Sequence, residues 1–158
     1  MPELPEVEIV KQSLEKRVLL QKINKVIVRN GNLRFKIEKN FKNILKNRKI
    51  LNISRISKYL IIHFDNEKYC ILHLGMSGTL HLVKKNLKNK FTNLSFYKSK
   101  ILPIKHNHVE IIFSKFKIVY NDPRRFGFFK IINSKKELNF FFKPFKPEAL
   151  DGCFNFLL

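Results

Sequence analysis

The residues at the start of the chain combine groups that could do amine chemistry on a sugar. Met1 precedes the small residue Pro2, a context in which the methionine is normally removed, and its removal would leave the secondary amine of Pro2 at the N-terminus. A neutral amine can form a Schiff base with a sugar aldehyde. Because an unperturbed α-amino group has a pKa of about 7.7–8.0, part of it is neutral near pH 7. Glu3 is next to the amine and could transfer protons, although the same residues also make a good helix start.

A second candidate for chemistry is Lys58, at the entrance of the apolar run KYLIIHF. A lysine in this position could simply extend its charged end into solvent over an apolar stem, which is the more common situation. It could instead be a partly desolvated acid, base or phosphate ligand. The spacing alone leaves both interpretations open.

Two glycine-containing loops present side chains suited to entering a base stack. In HLGMSG the glycines allow a sharp turn that would expose Met76 as a flexible apolar wedge, although this side chain could also be tucked into the core. In NDPRRFG the Asp-Pro pair initiates a turn that carries Arg124, Arg125 and Phe126 at its tip. Paired arginines beside an aromatic ring suit phosphate contact together with base stacking.

The run KHNHVE places His106 and His108 two residues apart, which predicts that both lie on one face of a strand. Two histidines do not form a metal site by themselves, and no third ligand is near them in the sequence. We expect a surface position, with phosphate contact through a histidine as the functional alternative, and we predict no metal site in this chain.

The chain of 158 residues is strongly basic, with 32 Lys and Arg against 12 Asp and Glu and a formal net charge of +20. Such a charge attracts polyanions, of which nucleic acid is the most common large one. Because 25 of the basic residues are lysine, and lysine codons are AT-rich, biased base composition could account for part of the excess. Charge therefore favours nucleic-acid binding without establishing it.

Composition and patterning exclude several classes of protein. Hydrophobic residues make up 44% of the chain, too many for a disordered basic tail, and no apolar run approaches the ~18 residues of a membrane helix. The acidic, proline-containing N-terminus is unlike a signal peptide. Cys70 and Cys153 provide neither a disulfide framework nor zinc-ligand spacing. We therefore expect a cytoplasmic location and no membrane partner.

These motifs lie between elements that hydrophobic periodicity predicts. A helix is expected over 3–18, with Pro2 just inside its start, a short second helix over 37–46, and a long loop over 84–105. The apolar stripe of the first helix consists of Leu4, Val7, Val10, Leu14 and Val18. The expected fold is α+β: a β-sandwich or flattened barrel of about eight antiparallel strands, flanked by the N-terminal helix and the second short helix.

Taken in order, MPELPEVE, the lysine of SKYLI, HLGMSG, KHNHVE and NDPRRFG resemble the formamidopyrimidine-DNA glycosylase family, of the Fpg or MutM type. The resemblance covers essentially the whole chain, and MPELPEVE and DPRRFG are specific strings. It implies base-excision DNA repair: removal of oxidised purines, such as 8-oxoguanine and formamidopyrimidines, from duplex DNA, followed by strand cleavage as an apurinic-site lyase through β,δ-elimination.

The resemblance implies roles for the candidate residues. The amine of Pro2 would form the Schiff base, Glu3 would donate or accept protons, and Lys58 would donate a proton or contact a phosphate during β-elimination. The family's void-filling set, which enters the stack when a nucleotide is flipped out, matches Met76, Arg124 and Phe126. The expected DNA-binding residues are Met76, His106, Arg124, Arg125 and Phe126.

Full-length family members carry a second lobe with a helix–two-turn–helix segment and a four-cysteine zinc finger. Residues 1–143 are accordingly expected to form the N-terminal catalytic domain and 144–158 a truncated interdomain linker, with no cofactor in this chain. With half of the phosphate contacts absent, we expect impaired turnover on damaged double-stranded DNA.

Three alternatives stay open. The chain could be a non-catalytic DNA-binding remnant, or half of a split enzyme whose partner is a separately encoded C-terminal lobe. It could also be an endonuclease VIII-like glycosylase, although that branch typically has glycine at the position of Leu4, and the chain resembles the purine-directed branch instead.

Overall fold

The computed structural model describes residues 2–84 and 102–145, together with the backbone of 91–93. Its first element is helix α1 (Leu4–Val18), whose buried residues are Val7, Val10, Leu14 and Val18, as the periodicity predicts. Two details of the prediction are wrong. Leu4 is 44% exposed and does not belong to the buried stripe. Pro2 precedes the helix rather than lying inside it, because Glu3 is the N-cap residue and Pro5 occupies the first turn.

The second short helix is present but shorter than predicted. Strand β1 (Lys25–Val28) leads to helix α2 (Phe41–Leu45), which buries Phe41 and Leu45. Ile37 is buried as well, but its backbone N–H donates to the carbonyl of Gly31 in the preceding loop. The apolar spacing of this segment therefore reflects burial over its whole length and helix only in its second half.

In the described part of the chain, nine strands form two antiparallel sheets, which confirms the expected α+β sandwich of about eight strands. After β1 the strands are β2 (Ile50–Ile56), β3 (Tyr59–Phe64), β4 (Tyr69–His73), β5 (Thr79–Lys84), β6 (Phe91–Asn93), β7 (Asn107–Ile112), β8 (Phe116–Asn121) and β9 (Phe128–Ile132). One sheet has the order β1-β7-β8-β5-β6 and the other β2-β3-β4-β9. Strands that are consecutive in the chain pair antiparallel in the hairpins β2–β3, β3–β4 and β7–β8.

Both faces of the four-stranded sheet are buried, and alternation along each strand decides which face a side chain joins. On β3, Leu60 and Ile62 point into the main core shared with α1, α2 and the other sheet. Ile61, between them, joins a second apolar cluster on the opposite face. The strands of this sheet are apolar at nearly every position because successive side chains enter two different apolar clusters, one on each face.

The second cluster is covered by a helix that the sequence reading did not predict. Helix α3 (Lys135–Phe142) begins at Ser134, whose side chain accepts a hydrogen bond from the Glu137 backbone N–H at 3.1 Å. It buries Leu138 and Phe142 against the outer face of the sheet. The Ser-x-x-Glu spacing is a helix-start signal, and it was the feature that could have identified this helix.

Parts of two predictions fall on residues outside those described. Within the expected loop 84–105, the structure describes strand β6, which pairs with β5, and residues from 102 onward; 85–90 and 94–101 are outside. The expected linker 144–158 lies outside except for 144 and 145. Among the described residues, none of the helices has the length and apolar character needed to cross a membrane.

Candidate functional site

The predicted catalytic residues at the chain start meet the lysine of a distant turn. Pro2 is buried immediately before α1, and the Nζ atom of Lys58 lies 3.1 Å from Oε2 of Glu3. The Glu3 side chain is 62% exposed and that of Lys58 is 25% exposed, so this ion pair borders solvent. The structure therefore brings Lys58 to Glu3, which is joined to Pro2 by a peptide bond.

A second ion pair holds this turn on the helix. Ser57, in the β2–β3 turn, has a positive φ of 52°, which tightens the chain just before Lys58. The Arg55 side chain donates to the carboxylate of Glu8 on α1 at 2.8 Å and to the Ser57 carbonyl at 2.9 Å. Because one guanidinium bridges the helix and the turn, the position of Lys58 relative to Glu3 is set by more than their own contact.

The HLGMSG loop joins β4 to β5 and exposes its methionine. Gly75 has a φ of +64°, and a Cβ atom there would lie 2.4 Å from the backbone nitrogen of Gly127. Met76 is 43% exposed. The methionine therefore projects into solvent and is not tucked into the core. Glycine is required at position 75 because its φ is positive and because a side chain there would overlap the backbone of Gly127.

The NDPRRFG turn joins β8 to β9 directly beside that loop. Phe126 is 43% exposed, and the guanidinium of Arg124 lies over its ring, 5.1 Å from the centroid. Arg125 has a positive φ of 57° and its side chain donates to the carbonyl of Asn32 at 3.3 Å. The two exposed apolar side chains, Met76 and Phe126, therefore lie on adjoining loops, with Arg124 beside Phe126.

An open cleft runs between these loops and the segment after β1. Its lining residues are Asn32, Leu33, Arg34, His73, Gly75, Met76, Arg124, Arg125 and Phe126. Four of the predicted DNA-binding residues line this cleft together. Three arginines on its walls give it a cationic surface, which suits a phosphate backbone.

Arg34 is a cleft residue that the sequence reasoning missed. Its guanidinium lies 5.7 Å from the centroid of the Phe35 ring, and that ring packs edge-on against Phe128 at 5.0 Å between centroids. Arg34-Phe35 is a second arginine–aromatic pair, set a few residues after the Asn30-Gly31 turn. Its similarity to the Arg-Phe pair of the NDPRRFG turn could have identified Arg34 as a candidate DNA-binding residue.

His73 is a second missed residue, and it connects the two halves of the site. It is the cross-strand partner of Tyr59, which follows Lys58, and its Nδ1 accepts a hydrogen bond from the Gly75 backbone N–H at 3.0 Å. Burial lowers the pKa of His73, and the positive charges of Arg34 and Lys58 lower it further. A neutral imidazole leaves Nδ1 available as the acceptor that fixes the start of the methionine loop.

The two histidines of KHNHVE do not share a strand face as predicted. His106 is exposed with a positive φ of 72°, just before β7 begins at Asn107, and a register shift follows between Asn107 and Val109. His108 is buried, and its Nε2 lies 2.7 Å from the carbonyl oxygen of Asp122. The exposed histidine remains available to a ligand, whereas the buried one holds the β8 end in place.

The described residues offer no cluster of three or more His, Cys, Asp or Glu side chains suited to a metal ion. Cys70 is buried in the main core, and Cys153 lies outside the described residues. This sequence contains two cysteines, whereas the zinc site that the resemblance implies for full-length family members has four.

Comparison with known proteins places this geometry in context. The family model "Formamidopyrimidine-DNA glycosylase N-terminal domain" matches residues 1–129. The formamidopyrimidine-DNA glycosylase of Wolbachia pipientis subsp. Culex pipiens (strain wPip) is 41% identical over 142 residues, covering 89% of this chain and 47% of the relative. That of Rickettsia bellii (strain OSU 85-389) is 37% identical over 155 residues, covering 98% of this chain and 52% of the relative.

A solved structure of Lactococcus lactis Fpg in complex with an abasic-site-containing DNA matches with a TM-score of 0.74 and 30% identity, over 90% of this chain and 47% of that chain. The present chain therefore spans about half the length of the curated relatives and of the solved structure that it matches.

Proposed function

Because the chain belongs to the formamidopyrimidine-DNA glycosylase family, we propose that it supplies the catalytic amine and the base-stack wedge of a base-excision DNA glycosylase and apurinic-site lyase. The proposed substrate is damaged double-stranded DNA, with oxidised purines as the lesion class. The proposed location is cytoplasmic. The single observation that carries the proposal is the Lys58–Glu3 ion pair at 3.1 Å, which gives the residue next to Pro2 a proton-transfer partner.

In the proposed reaction, the neutral amine of Pro2 attacks C1′ of the damaged nucleoside and passes its proton to the carboxylate of Glu3. The bond from C1′ to the base breaks, and the departing base takes a proton from solvent. Opening of the sugar ring then transfers a proton to O4′ and leaves an iminium between the proline nitrogen and C1′. Glu3 is the proposed proton donor for this step because it adjoins the amine.

Strand cleavage follows in the proposal by β-elimination. A proton passes from C2′, which the iminium acidifies, to a water molecule, and the bond from C3′ to the phosphate oxygen breaks. Lys58 is the proposed group that donates a proton to the departing phosphate or contacts it, since its ammonium lies beside Glu3 and borders solvent where DNA can approach.

The cleft supports the proposed DNA contacts. Met76 and Phe126 stand half-exposed on adjoining loops, and Arg124 lies against the Phe126 ring, an arrangement suited to filling a void in a base stack. Arg125 shares the cleft wall, and His106 is exposed at the start of β7. We include Arg34 among the proposed phosphate contacts because it lies on the same wall.

The test is borohydride trapping of the chain on an oligonucleotide that contains an apurinic site. We expect a covalent adduct for the chain, for Pro2→Gly, which retains a free N-terminal amine after methionine removal, and for Lys58→Ala. Pro2→Glu retains Met1 and moves the terminal amine by one residue, about 3.8 Å along the chain, so its adduct should be lost.

Trapping also separates the catalytic proposal from the non-catalytic alternative. No adduct at low salt, under conditions in which the chain binds the same oligonucleotide, would favour a DNA-binding protein without chemistry. A second arm adds the C-terminal half of the Wolbachia relative as a separate polypeptide. Co-purification and increased adduct on duplex DNA would support a two-chain enzyme.

A further inference from the structure

Asp122 is a fully buried carboxylate to which four donors point. Its Oδ1 accepts hydrogen bonds from the Ser77 hydroxyl at 2.6 Å and from the Arg125 backbone N–H at 3.1 Å. Its Oδ2 accepts from the Tyr120 hydroxyl at 2.6 Å and from the Gly127 backbone N–H at 2.9 Å. The residue is 0% exposed, so it cannot contact a ligand directly. Its role must be inferred from the four groups that donate hydrogen bonds to it.

Ser77 makes this carboxylate a link between two loops. While its hydroxyl donates to Asp122, the same oxygen accepts a hydrogen bond from the Arg124 backbone N–H at 3.1 Å. Ser77 follows Met76 in the chain, and Arg124 begins the tip of the other turn. The methionine loop is thus bonded to the Arg–Phe turn through one hydroxyl.

The backbone of Asp122 extends the link to a third segment. Its N–H donates to the carbonyl of His106 at 3.1 Å, and its own carbonyl oxygen lies 2.7 Å from the Nε2 atom of the buried His108. Three of the segments that carry proposed DNA contacts, those of Met76, His106 and the Arg124–Phe126 turn, therefore converge on this one residue.

We propose that Asp122 is a positioning residue, which acts through Ser77 to hold Met76 and the Arg124–Phe126 turn in one arrangement, so that they enter a base stack as a unit. The inference rests on the proposed function. Met76 and Phe126 are each 43% exposed, so packing of their own side chains restrains them only in part. Their placement depends on the loop backbones, and those are bonded to Asp122.

Two hydroxyl deletions around this carboxylate form a matched pair. Ser77→Ala removes the donor that crosses between the loops, whereas Tyr120→Phe removes a donor two residues before Asp122 in the chain and leaves the crossing intact. Ser77→Thr retains a hydroxyl and should restore the link. Ser114→Ala removes an exposed serine in the β7–β8 turn and serves as the unrelated control.

The first measurement does not depend on activity. The chain contains four tyrosines and no tryptophan, so Phe126→Trp introduces a single tryptophan at the tip of the turn, which can be excited selectively at the red edge of the absorption band. In this background we expect Ser77→Ala to lower the tryptophan anisotropy and to increase acrylamide quenching. Tyr120→Phe, Ser77→Thr and Ser114→Ala should retain the parent values. Identical anisotropy and quenching in Ser77→Ala and its parent would overturn the proposal.

The second measurement compares borohydride adduct on a duplex apurinic site with adduct on the same site in a single strand, using the chain with Phe126 intact. Only the duplex has a base stack to fill, so the ratio reports on the wedge separately from the amine. Loss of a hydrogen bond to a charged group predicts about a tenfold lower ratio for Ser77→Ala, with Ser114→Ala unchanged. Absence of adduct on both substrates would contradict the proposed function, whereas a normal ratio in Ser77→Ala would contradict the positioning role alone.

Discussion

The ammonium of Lys58 lies 3.1 Å from the carboxylate of Glu3, although one residue sits in the turn between two strands and the other caps the first helix. The contact joins an acid and a base of opposite charge at the place where the chain begins. Arg55 reinforces it by bonding Glu8 and the carbonyl of Ser57. This corner of the fold positions the groups whose chemistry is proposed above.

Removing the ammonium should separate the two steps of the proposed reaction. On DNA with a preformed apurinic site, we expect Lys58→Ala to retain the borohydride adduct but to slow strand cleavage by about 10²–10⁴-fold, the usual contribution of a positioned proton-transfer group. Single-turnover gel assays measure both quantities. Lys115→Ala, in the β7–β8 turn, removes the same charge and should cleave at the normal rate. Equal cleavage rates in Lys58→Ala and the parent would exclude the proposed role.

Arg34 should contribute to DNA affinity without base specificity. If its guanidinium neutralises one phosphate, Arg34→Ala reduces the slope of log K against log salt concentration by about 0.9. Fluorescence anisotropy with a labelled duplex at several salt concentrations measures this slope. Arg17→Ala, at the exposed end of α1, is the charge-matched control, and the same slope for both variants would argue against a phosphate contact at Arg34.

Gly75 should tolerate no side chain, in contrast to Gly31. At Gly75 the backbone has a φ of +64° and an added Cβ would lie 2.4 Å from the Gly127 nitrogen, whereas at Gly31 the nearest atoms are side-chain carbons at 3.7 Å. We expect Gly75→Ala to lower the free energy of unfolding by about 1–3 kcal/mol from backbone strain, with the overlap adding to it. Urea unfolding of both variants checks this, and equal stabilities would contradict the packing described here.

His63 should make the protein sensitive to mild acid. Burial lowers the pKa of His63 to about 3, whereas an unfolded histidine titrates near 6.5. Between these values the unfolded chain binds a proton that the folded chain does not. The contribution of neutral His63 to the free energy of unfolding is thus complete above about pH 6.5 and decreases as the pH falls toward 3.

His63→Gln removes that proton-binding difference. We expect its free energy of unfolding to decrease less steeply than that of the parent between about pH 6.5 and 4. Urea midpoints measured over this range provide the comparison. Parallel pH profiles for the two proteins would show that His63 does not titrate differently in the folded state.

Local patterns in the sequence determined much of the fold. The apolar stripe of the first helix predicted α1, although Leu4 was wrongly included in it. The pattern of short apolar runs predicted about eight antiparallel strands, because burial of one face imposes a short period on nearby residues. The glycines and the Asp-Pro pair likewise predicted the two loops that present Met76 and Phe126, since turn geometry depends on residues that are adjacent in the chain.

What only the tertiary structure decided depends on partners that are distant in the sequence. The start signal of helix α3 was local, but the surface that the helix covers was not: Phe141 and Phe142 pack against Tyr59 on the sheet face away from the main core. The placement of His73 beside the Lys58 turn follows from strand register. Asp122 was read as a turn former, yet its carboxylate bonds Ser77 across two loops. The spacing of apolar residues along the chain shows which face of a helix or strand is buried. It does not show which element covers that face, because this depends on how the sheets and loops pack together.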